Sequence, residues 1–267
     1  MQKRKTIVRD ISWLSFNNRV LQEAGDDTVP LRERIRFLGI FSNNLDEFFR
    51  VRVATLRKMT ELGSKAKMHL ESQPQAILEE IQEMVHLQQI EFERIWKEIQ
   101  KELAKQQIHL INEKKLSVQQ QKFVLDYFNE EVRSSIIPLM IESIQNFPVL
   151  NDKSIYLACT LSKKDKSIPQ CFALVSVPTR SLSRFLILPS KSDEHHIILL
   201  EDIIRFCLPV IFSSLGYDQF SAHIIKLTRD AEIDIDNDIS TPLIQKIERG
   251  LKNRKKGKPV RFVFDQE

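Results

Sequence analysis

The sequence QAILEEIQEMVHLQQIEFERIWKEIQKELAK, residues 75–105, decides the fold of the first part of the chain. It contains neither glycine nor proline, so one helix can run through it without a break. Apolar residues recur in it every three or four positions, as in an amphipathic helix, and Gln88 occupies the one seam position without an apolar residue. The seam consists of Leu78, Ile81, Val85, Phe92, Ile95 and Ile99. At about 1.5 Å per residue this helix runs on the order of 45 Å and must bury its apolar face. We therefore predict an antiparallel all-α helical bundle for residues 1–105.

Three shorter helical segments are predicted before the long one, the last of which resumes the apolar face from Leu45 through Phe48, Arg52 and Leu56. Ser12 is the expected N-cap of the first, and Gly25 is expected to end it. Pro30 suits the first position of the second helix, which we expect SNNLDEFF, residues 42–49, to interrupt. The apolar face predicted for the first helix consists of Trp13, Phe16, Val20 and Ala24.

The character of the sequence changes after Gln106, where strand-like runs alternate with helices. Ser117 and Gln120 have capping-box spacing for a helix that must end near Pro138. Two further helices are predicted over residues 201–212 and from Thr241. Six predicted strands rich in Val, Ile, Leu and Phe are IYLACTL (155–161), CFALVSV (171–177), RFLILP (184–189), IILL (197–200), HIIKLT (223–228) and VRFVF (260–264). We therefore predict an α+β domain with a mixed sheet over residues 106–267.

The composition is typical of a soluble globular protein, with 42% hydrophobic and 28% charged residues. A formal net charge of +4 permits an anionic partner without requiring one. The basic beginning lacks the apolar run of a secretory signal, so we expect a cytoplasmic location. Cys159, Cys171 and Cys207 lack metal-site spacing, and we interpret them as buried reduced thiols.

The segment SNNLDEF carries the main candidate for a functional site. Asn44 and Glu47 have the spacing of an N-cap and its third helical residue, so a helix cap is one interpretation. The alternative is that this helix start presents its amides to a base or a phosphate. Six arginines flank the segment, either as a solvated face with helical ion pairs or as phosphate ligands. They are Arg32, Arg34, Arg36, Arg50, Arg52 and Arg57.

These residues carry a resemblance to a known family. SWLSFNNRVLQEA (12–24) and PLRERIRFLGIFSNNLDEFFRVRVA (30–54) resemble the opening of the polyphosphate kinases that carry phosphate on a histidine. Farther along, FPVLNDKSIYLA, FALVSVP, RFLILP, LLEDIIRF and LTRDAEIDID are similar, in the same order, to the second or head domain of that family. The resemblance thus covers nearly the whole chain.

The resemblance implies an enzyme that reversibly transfers the γ-phosphate of ATP to polyphosphate through a phosphohistidine, with Mg²⁺ neutralising the phosphates. It implies that Asn44 contacts ATP. It assigns no role to Asn43, Asp46, Glu47 and Arg50, which we expect to support Asn44 through helix packing and ion pairs. It also implies that the head domain forms a homodimer. The two carboxy-terminal catalytic domains of the family, which bind most of the Mg²⁺ and phosphate, have no counterpart here. We therefore expect a fragment that is inactive alone.

No catalytic or metal-binding residue is predicted within this chain. The six histidines lack the family's active-site motif, and we interpret them as surface or packing residues. TRDAEIDIDND, residues 228–238, lacks the glycine and the closing glutamate of a calcium loop and is interpreted as a strand with a solvated face.

The basic residues at 252–261 suit the end of a helix. The alternative is a docking surface for polyphosphate or acidic lipid, and hence peripheral membrane association. A rival interpretation of the whole chain is a non-enzymatic module that binds nucleic acid or polyphosphate. It is weakened because aromatic residues are not interleaved with basic ones, so nucleic acid is not the expected partner.

Overall fold

The chain folds into two compact units, one of Met1–Leu103 and Thr228–Arg261 and the other of Ala104–Leu227 and Phe262–Glu267. The structure is a computed structural model that describes residues 8–61, 73–141, 150–191, 193–230 and 257–265. The predicted helix from Thr241, the predicted strand after Asp230 and most of the basic cluster at 252–261 lie outside the described residues.

The first unit is helical, as the sequence predicts. Its helices are α1 (Arg9–Gly25), α2 (Leu31–Phe48), α3 (Ala54–Glu61) and α4 (Pro74–Lys105), and a π-helical turn (Phe49–Val53) joins α2 to α3. The long helix α4 is confirmed to within one residue at its start. Gly25 ends α1 as predicted.

Three local predictions in this unit are wrong. SNNLDEFF does not interrupt the second helix, because α2 continues through Phe48. Ser12 lies inside α1 rather than capping it, since the helix begins at Arg9. Phe16 is 62% exposed, and the face of α1 that enters the core is displaced by one position from the predicted one at most of its residues. That buried face consists of Ile11, Leu14, Asn17, Leu21 and Ala24.

The core of the helical unit joins residues from α1, α2, α3 and α4. Its members include Leu14, Leu21, Phe41, Leu45, Phe48, Ile81, Ile95 and Ile99. Trp13 stacks on Phe48 with ring centroids 4.7 Å apart. Burial of aliphatic and aromatic side chains at roughly 1.5–3 kcal/mol each is the main stabilising contribution here.

The strands form two sheets, and all six predicted strands are observed. A mixed three-stranded sheet has the order β1 (Ile108–Leu110), β6 (His195–Leu199), β5 (Phe185–Leu188), with β1 parallel to β6. The five-stranded sheet has the order β2 (Leu139–Met140), β4 (Cys171–Ser176), β3 (Ile155–Ser162), β7 (Gln219–Arg229), β8 (Pro259–Phe264). The strands β3, β4 and β7 pair antiparallel.

The helices of the second unit pack on these strands around one core. Ser117 and Gln120 form the predicted capping box at the start of α5 (Val118–Tyr127), and the helical path ends before Pro138. The helix predicted over 201–212 divides into α6 (Leu200–Phe206) and a short α7 (Leu208–Ile211). All three cysteines are free and buried, as expected.

None of the described helices is both long enough and apolar enough to cross a membrane.

Candidate functional site

Asn44 lies in the last full turn of α2, where its side chain is only partly buried. Its Nδ2 atom donates a hydrogen bond of 3.0 Å to Oδ1 of Asn17 on α1. Asn17 is completely buried, and its own Nδ2 donates to the carbonyl oxygen of Phe41 at 3.3 Å. These two bonds fix the position of the Asn44 amide relative to both helices.

The helix-cap interpretation of Asn44 is wrong, because the residue lies inside a continuous helix. Its Nδ2 atom donates to a side chain of another helix, whereas the side-chain oxygen of a cap would accept from the backbone N–H three residues later. Asn17 was missed in the sequence. The available signal was a polar residue at a seam position of α1, between Leu14 and Leu21, where an apolar residue is the rule.

The four predicted supporting residues lie around Asn44 on the same helical path but differ in environment. Asn43 and Glu47 are exposed. Arg50, on the π-helical turn, approaches Glu47 to 3.9 Å, a loose pair across one helical turn. Asp46 is buried and accepts a 2.6 Å hydrogen bond from Nη1 of Arg261. Of the four, Asp46 therefore has the most constrained side chain.

Arg261 reaches this helix from β8 and was assigned in the sequence only to the basic cluster. Besides its bond to Asp46, its guanidinium lies 5.2 Å from the ring centroid of Phe49, at cation–π distance. Nearby, Lys58 bonds Asp230 at 2.8 Å, and Lys258 bonds Glu61 at 2.8 Å. The two described cations of the basic cluster are thus paired with carboxylates of the helical unit.

The flanking arginines divide between structural and exposed positions. Arg34 is buried, with Nε donating to the Ala24 carbonyl at 2.8 Å and Nη1 to Glu102 at 2.9 Å. Arg34 therefore connects the end of α1 to α2 and α4. Arg52 bonds the buried Asp10 at 2.7 Å through its Nε.

Two other arginines of this group are more exposed. Arg36 pairs with Glu33 on the surface, and Arg57 donates to the Pro259 carbonyl at 3.4 Å. The interpretation as a solvated face with helical ion pairs thus fits Arg36 and Arg50, which pair with residues one turn away, whereas Arg34 and Arg52 pair with carboxylates of other helices.

A second concentration of buried charge lies in the other unit, around Arg205. Its guanidinium contacts Asp202 at 2.9 Å, Asp265 at 2.8 Å and Glu113 at 3.5 Å. Burial raises the pKa of Asp202 to about 7, against the lowering effect of Arg205. The neighbouring carboxylates, Glu113 foremost, raise it further. Three carboxylates thus share one guanidinium.

His196 is held by hydrogen bonds at both ring nitrogens. Gln120 is oriented by its capping box, in which its Oε1 accepts from the Ser117 N–H. Its Nε2 therefore faces His196 Nδ1 at 2.8 Å, so that Nδ1 is the acceptor and Nε2 carries the proton. That Nε2–H donates to Glu194 Oε2 at 3.1 Å. The imidazole of His196 thus links the Gln120 side chain of α5 to the Glu194 carboxylate.

Within the described ranges, no group of three or more His, Cys, Asp or Glu side chains is arranged to hold a metal ion.

The comparisons with known proteins agree along the whole chain. Residues 6–111 match the polyphosphate kinase N-terminal domain, and residues 119–267 match the polyphosphate kinase middle domain. The polyphosphate kinase of Vibrio parahaemolyticus is 40% identical over 270 residues, which cover 98% of this chain and 37% of that protein. The polyphosphate kinase of Escherichia coli is 38% identical and is covered to 38%.

A solved structure is similar as well. The crystal structure of polyphosphate kinase from Porphyromonas gingivalis matches 93% of this chain and 38% of that one, with a TM-score of 0.74 and 31% identity. The chain thus spans little more than a third of the length of these relatives. With the middle-domain match covering more than half of the residues, the chain belongs to the polyphosphate kinase family.

Proposed function

We propose that this chain is the part of a polyphosphate kinase that covers bound ATP and joins subunits, with Asn44 as its direct contact to the nucleotide. The complete enzyme transfers the γ-phosphate of ATP reversibly to polyphosphate through a phosphohistidine, with Mg²⁺ on the phosphates. The covering role belongs to the helical bundle, and dimerisation belongs to the head domain.

The observation that carries the nucleotide contact is the anchored but accessible amide of Asn44. Its partner Asn17 is completely buried, whereas Asn44 itself is partly exposed. An amide held in one orientation loses little conformational entropy when a ligand binds, which favours affinity. Asp46, locked by Arg261, supports the same helical turn.

Replacing Asn44 by Ala in a full-length enzyme that contains this sequence tests the contact. Loss of one hydrogen bond to the nucleotide should weaken binding by roughly 0.5–1.5 kcal/mol, so the apparent KM for ATP should rise about two- to tenfold. Asn18→Ala, the same substitution on α1 next to Asn17, is the matched control. An unchanged KM in the Asn44 variant would remove the proposed contact.

We place the chemical step in the carboxy-terminal domains that the resemblance implies, because none of the six histidines of this chain carries the family's active-site motif. Both ring nitrogens of His196 are already hydrogen-bonded, which leaves neither free to attack a phosphate. The purified 267-residue chain should therefore make no polyphosphate from ATP and form no stable phosphohistidine. Detection of either product, by phosphate labelling with mass spectrometry of the modified residue, would contradict this assignment.

The head-domain dimer is supported by the exposed strand β5. This strand ends its sheet, since β6 is its only partner among the described strands. Phe185 and Ile187 point to one face and are 59% and 66% exposed. An edge strand with an exposed apolar face is a ready surface for association.

Changing Ile187 to Lys should convert the dimer to monomers, as measured by light scattering at several concentrations. Val118→Lys is the matched control, because Val118 is 84% exposed and lies outside β5. A dimer that persists in the Ile187 variant would contradict β5 as the dimer interface.

A further inference from the structure

The polarity of the Asn17–Asn44 pair is fixed by a backbone group. The carbonyl oxygen of Phe41 lies 3.3 Å from the terminal amide of Asn17, and a carbonyl oxygen only accepts hydrogen bonds. The atom of Asn17 that faces Phe41 must therefore be the NH₂ group. This assignment does not depend on any neighbouring side chain that could itself be turned over.

The same logic carries over to Asn44. With its NH₂ group on Phe41, Asn17 turns its Oδ1 toward α2, where it meets the Asn44 amide at 3.0 Å. Two facing oxygens would repel, so Asn44 must turn its own NH₂ group inward. The Phe41 carbonyl thus determines the orientation of the partly exposed Asn44 amide through Asn17, which is completely buried.

The remaining polar atom of Asn44 is its Oδ1, which is left available to a ligand. Among the described residues none donates a hydrogen bond to it, and it is not one of the buried side-chain atoms without a partner. It is therefore in contact with solvent. The Oδ1 of Asn44 is thus an accessible acceptor, whereas one of the two N–H donors of its amide is already bonded to Asn17.

We propose that Asn17 is a positioning residue that makes Asn44 an acceptor for a hydrogen-bond donor on the nucleoside part of ATP, either the exocyclic amine of the base or a ribose hydroxyl. This inference rests on the proposed nucleotide contact of Asn44. It excludes a phosphate contact through the same atom, because ionised phosphate oxygens are themselves acceptors and would be repelled by Oδ1.

Analogues of ATP that lack one donor each test this assignment in the full-length enzyme. The probes are β,γ-imido-ATP and its purine-riboside, 2′-deoxy and 3′-deoxy forms, with binding measured by calorimetry. In the unmodified enzyme one of these analogues should bind about two- to tenfold more weakly than the parent probe, which identifies the donor. In Asn44→Ala that difference should disappear.

Asn17→Ala and Asn17→Ser should reduce the discrimination, since the Asn44 amide is then free to turn and to present its NH₂ group instead of Oδ1. The ratio of two affinities is the useful readout because a general loosening of the fold changes both probes alike. Asn18→Ala, the matched control, should keep the ratio of the unmodified enzyme. If neither Asn17 variant folds, the analogue ratios of the unmodified enzyme and of Asn44→Ala still test the acceptor role.

The outcomes separate the two proposals. Unchanged binding of β,γ-imido-ATP by Asn44→Ala overturns the nucleotide contact itself. Weaker binding by Asn44→Ala without discrimination among the analogues by the unmodified enzyme overturns the acceptor assignment and leaves the contact standing. Full discrimination in a folded Asn17 variant overturns the positioning role of Asn17.

Discussion

The guanidinium of Arg261 and the carboxylate of Asp46 form a 2.6 Å ion pair in which the side chains are only 14% and 7% exposed. The pair connects β8 to the last turn of α2, two residues after Asn44. It thereby fixes the part of the helix that presents the proposed nucleotide contact.

Arg261→Met should lower the free energy of unfolding by about 2–3 kcal/mol, because the buried Asp46 carboxylate then loses the positive charge of Arg261. Urea denaturation measures this difference. Arg36→Met is the matched control, since the Arg36–Glu33 pair is exposed and should contribute less than about 1 kcal/mol. Equal effects of the two substitutions would show that burial of the Asp46 pair is energetically unimportant.

Asp202→Asn should reduce the pH dependence of stability. The pKa of Asp202 is about 7 in the folded chain, mainly because of burial, against an ordinary value of 3.8. Between about pH 4 and pH 7 the folded state thus holds a proton that the unfolded state has released. The unmodified protein should lose up to about 1.4 kcal/mol of stability per pH unit as the pH rises through this window.

The Asn variant lacks this loss, so its unfolding free energy should vary less between these pH values. Urea denaturation at several pH values measures the slopes. Asp126→Asn, at an exposed position of α5, should leave the slope of the unmodified protein nearly unchanged. Parallel pH profiles for the unmodified protein and Asp202→Asn would contradict the raised pKa.

Gln88→Met should stabilise the helical unit by about 1 kcal/mol. The Gln88 side chain is buried on the seam of α4, donates to the Leu14 carbonyl at 3.1 Å, and leaves its Oε1 buried without a partner. A buried acceptor without a partner costs about 1–3 kcal/mol, which exceeds the gain from one ordinary hydrogen bond. Thermal and urea denaturation give the change.

The neighbouring substitution Gln89→Met provides the comparison for Gln88. Gln89 bonds Glu93 at an exposed site, so its replacement should change stability by no more than about 0.5 kcal/mol. A loss of stability in Gln88→Met would mean that the hydrogen bond from Gln88 to α1 stabilises the fold by more than the unpaired Oε1 destabilises it.

Cys159 and Cys207 should resist thiol reagents in the folded protein. Burial raises the pKa of each thiol to about 12, so the reactive thiolate is rare near neutral pH. A chromogenic disulfide reagent should react slowly under native conditions and at once in concentrated denaturant. Rapid reaction of both thiols without denaturant would show that this core opens readily.

The sequence predicts the elements of this fold better than it predicts their ends. The continuous α2 shows why. Asn43 and Asn44 are weak helix formers, and their position before Glu47 imitates a cap, but such preferences amount to less than about 1 kcal/mol per residue. Burying Phe41, Leu45 and Phe48 contributes more, and their unbroken spacing of four and three residues keeps one helix.

The candidate site was only partly predictable. Asn44 was identified by its motif, and its role in binding ATP stays a prediction. Its anchor Asn17 lies 27 residues away, and no local pattern specifies which buried amide will meet which. Arg261 appeared as one charge in a basic cluster, because the ring and carboxylate that it contacts belong to a distant helix.

The helical unit is assembled from two separate stretches of sequence, and this has a consequence for how such proteins can be recombined. A gene fusion that transplants only residues 1–105 separates Asp46 and Lys58 from Arg261 and Asp230, their native counterions, and pairs them with the recipient's residues at those positions. A chimera with a single crossover therefore keeps these ion pairs only where the recipient also has Arg at 261 and Asp at 230. Shuffling this unit intact requires the later segment, through Arg261, to travel with the helices.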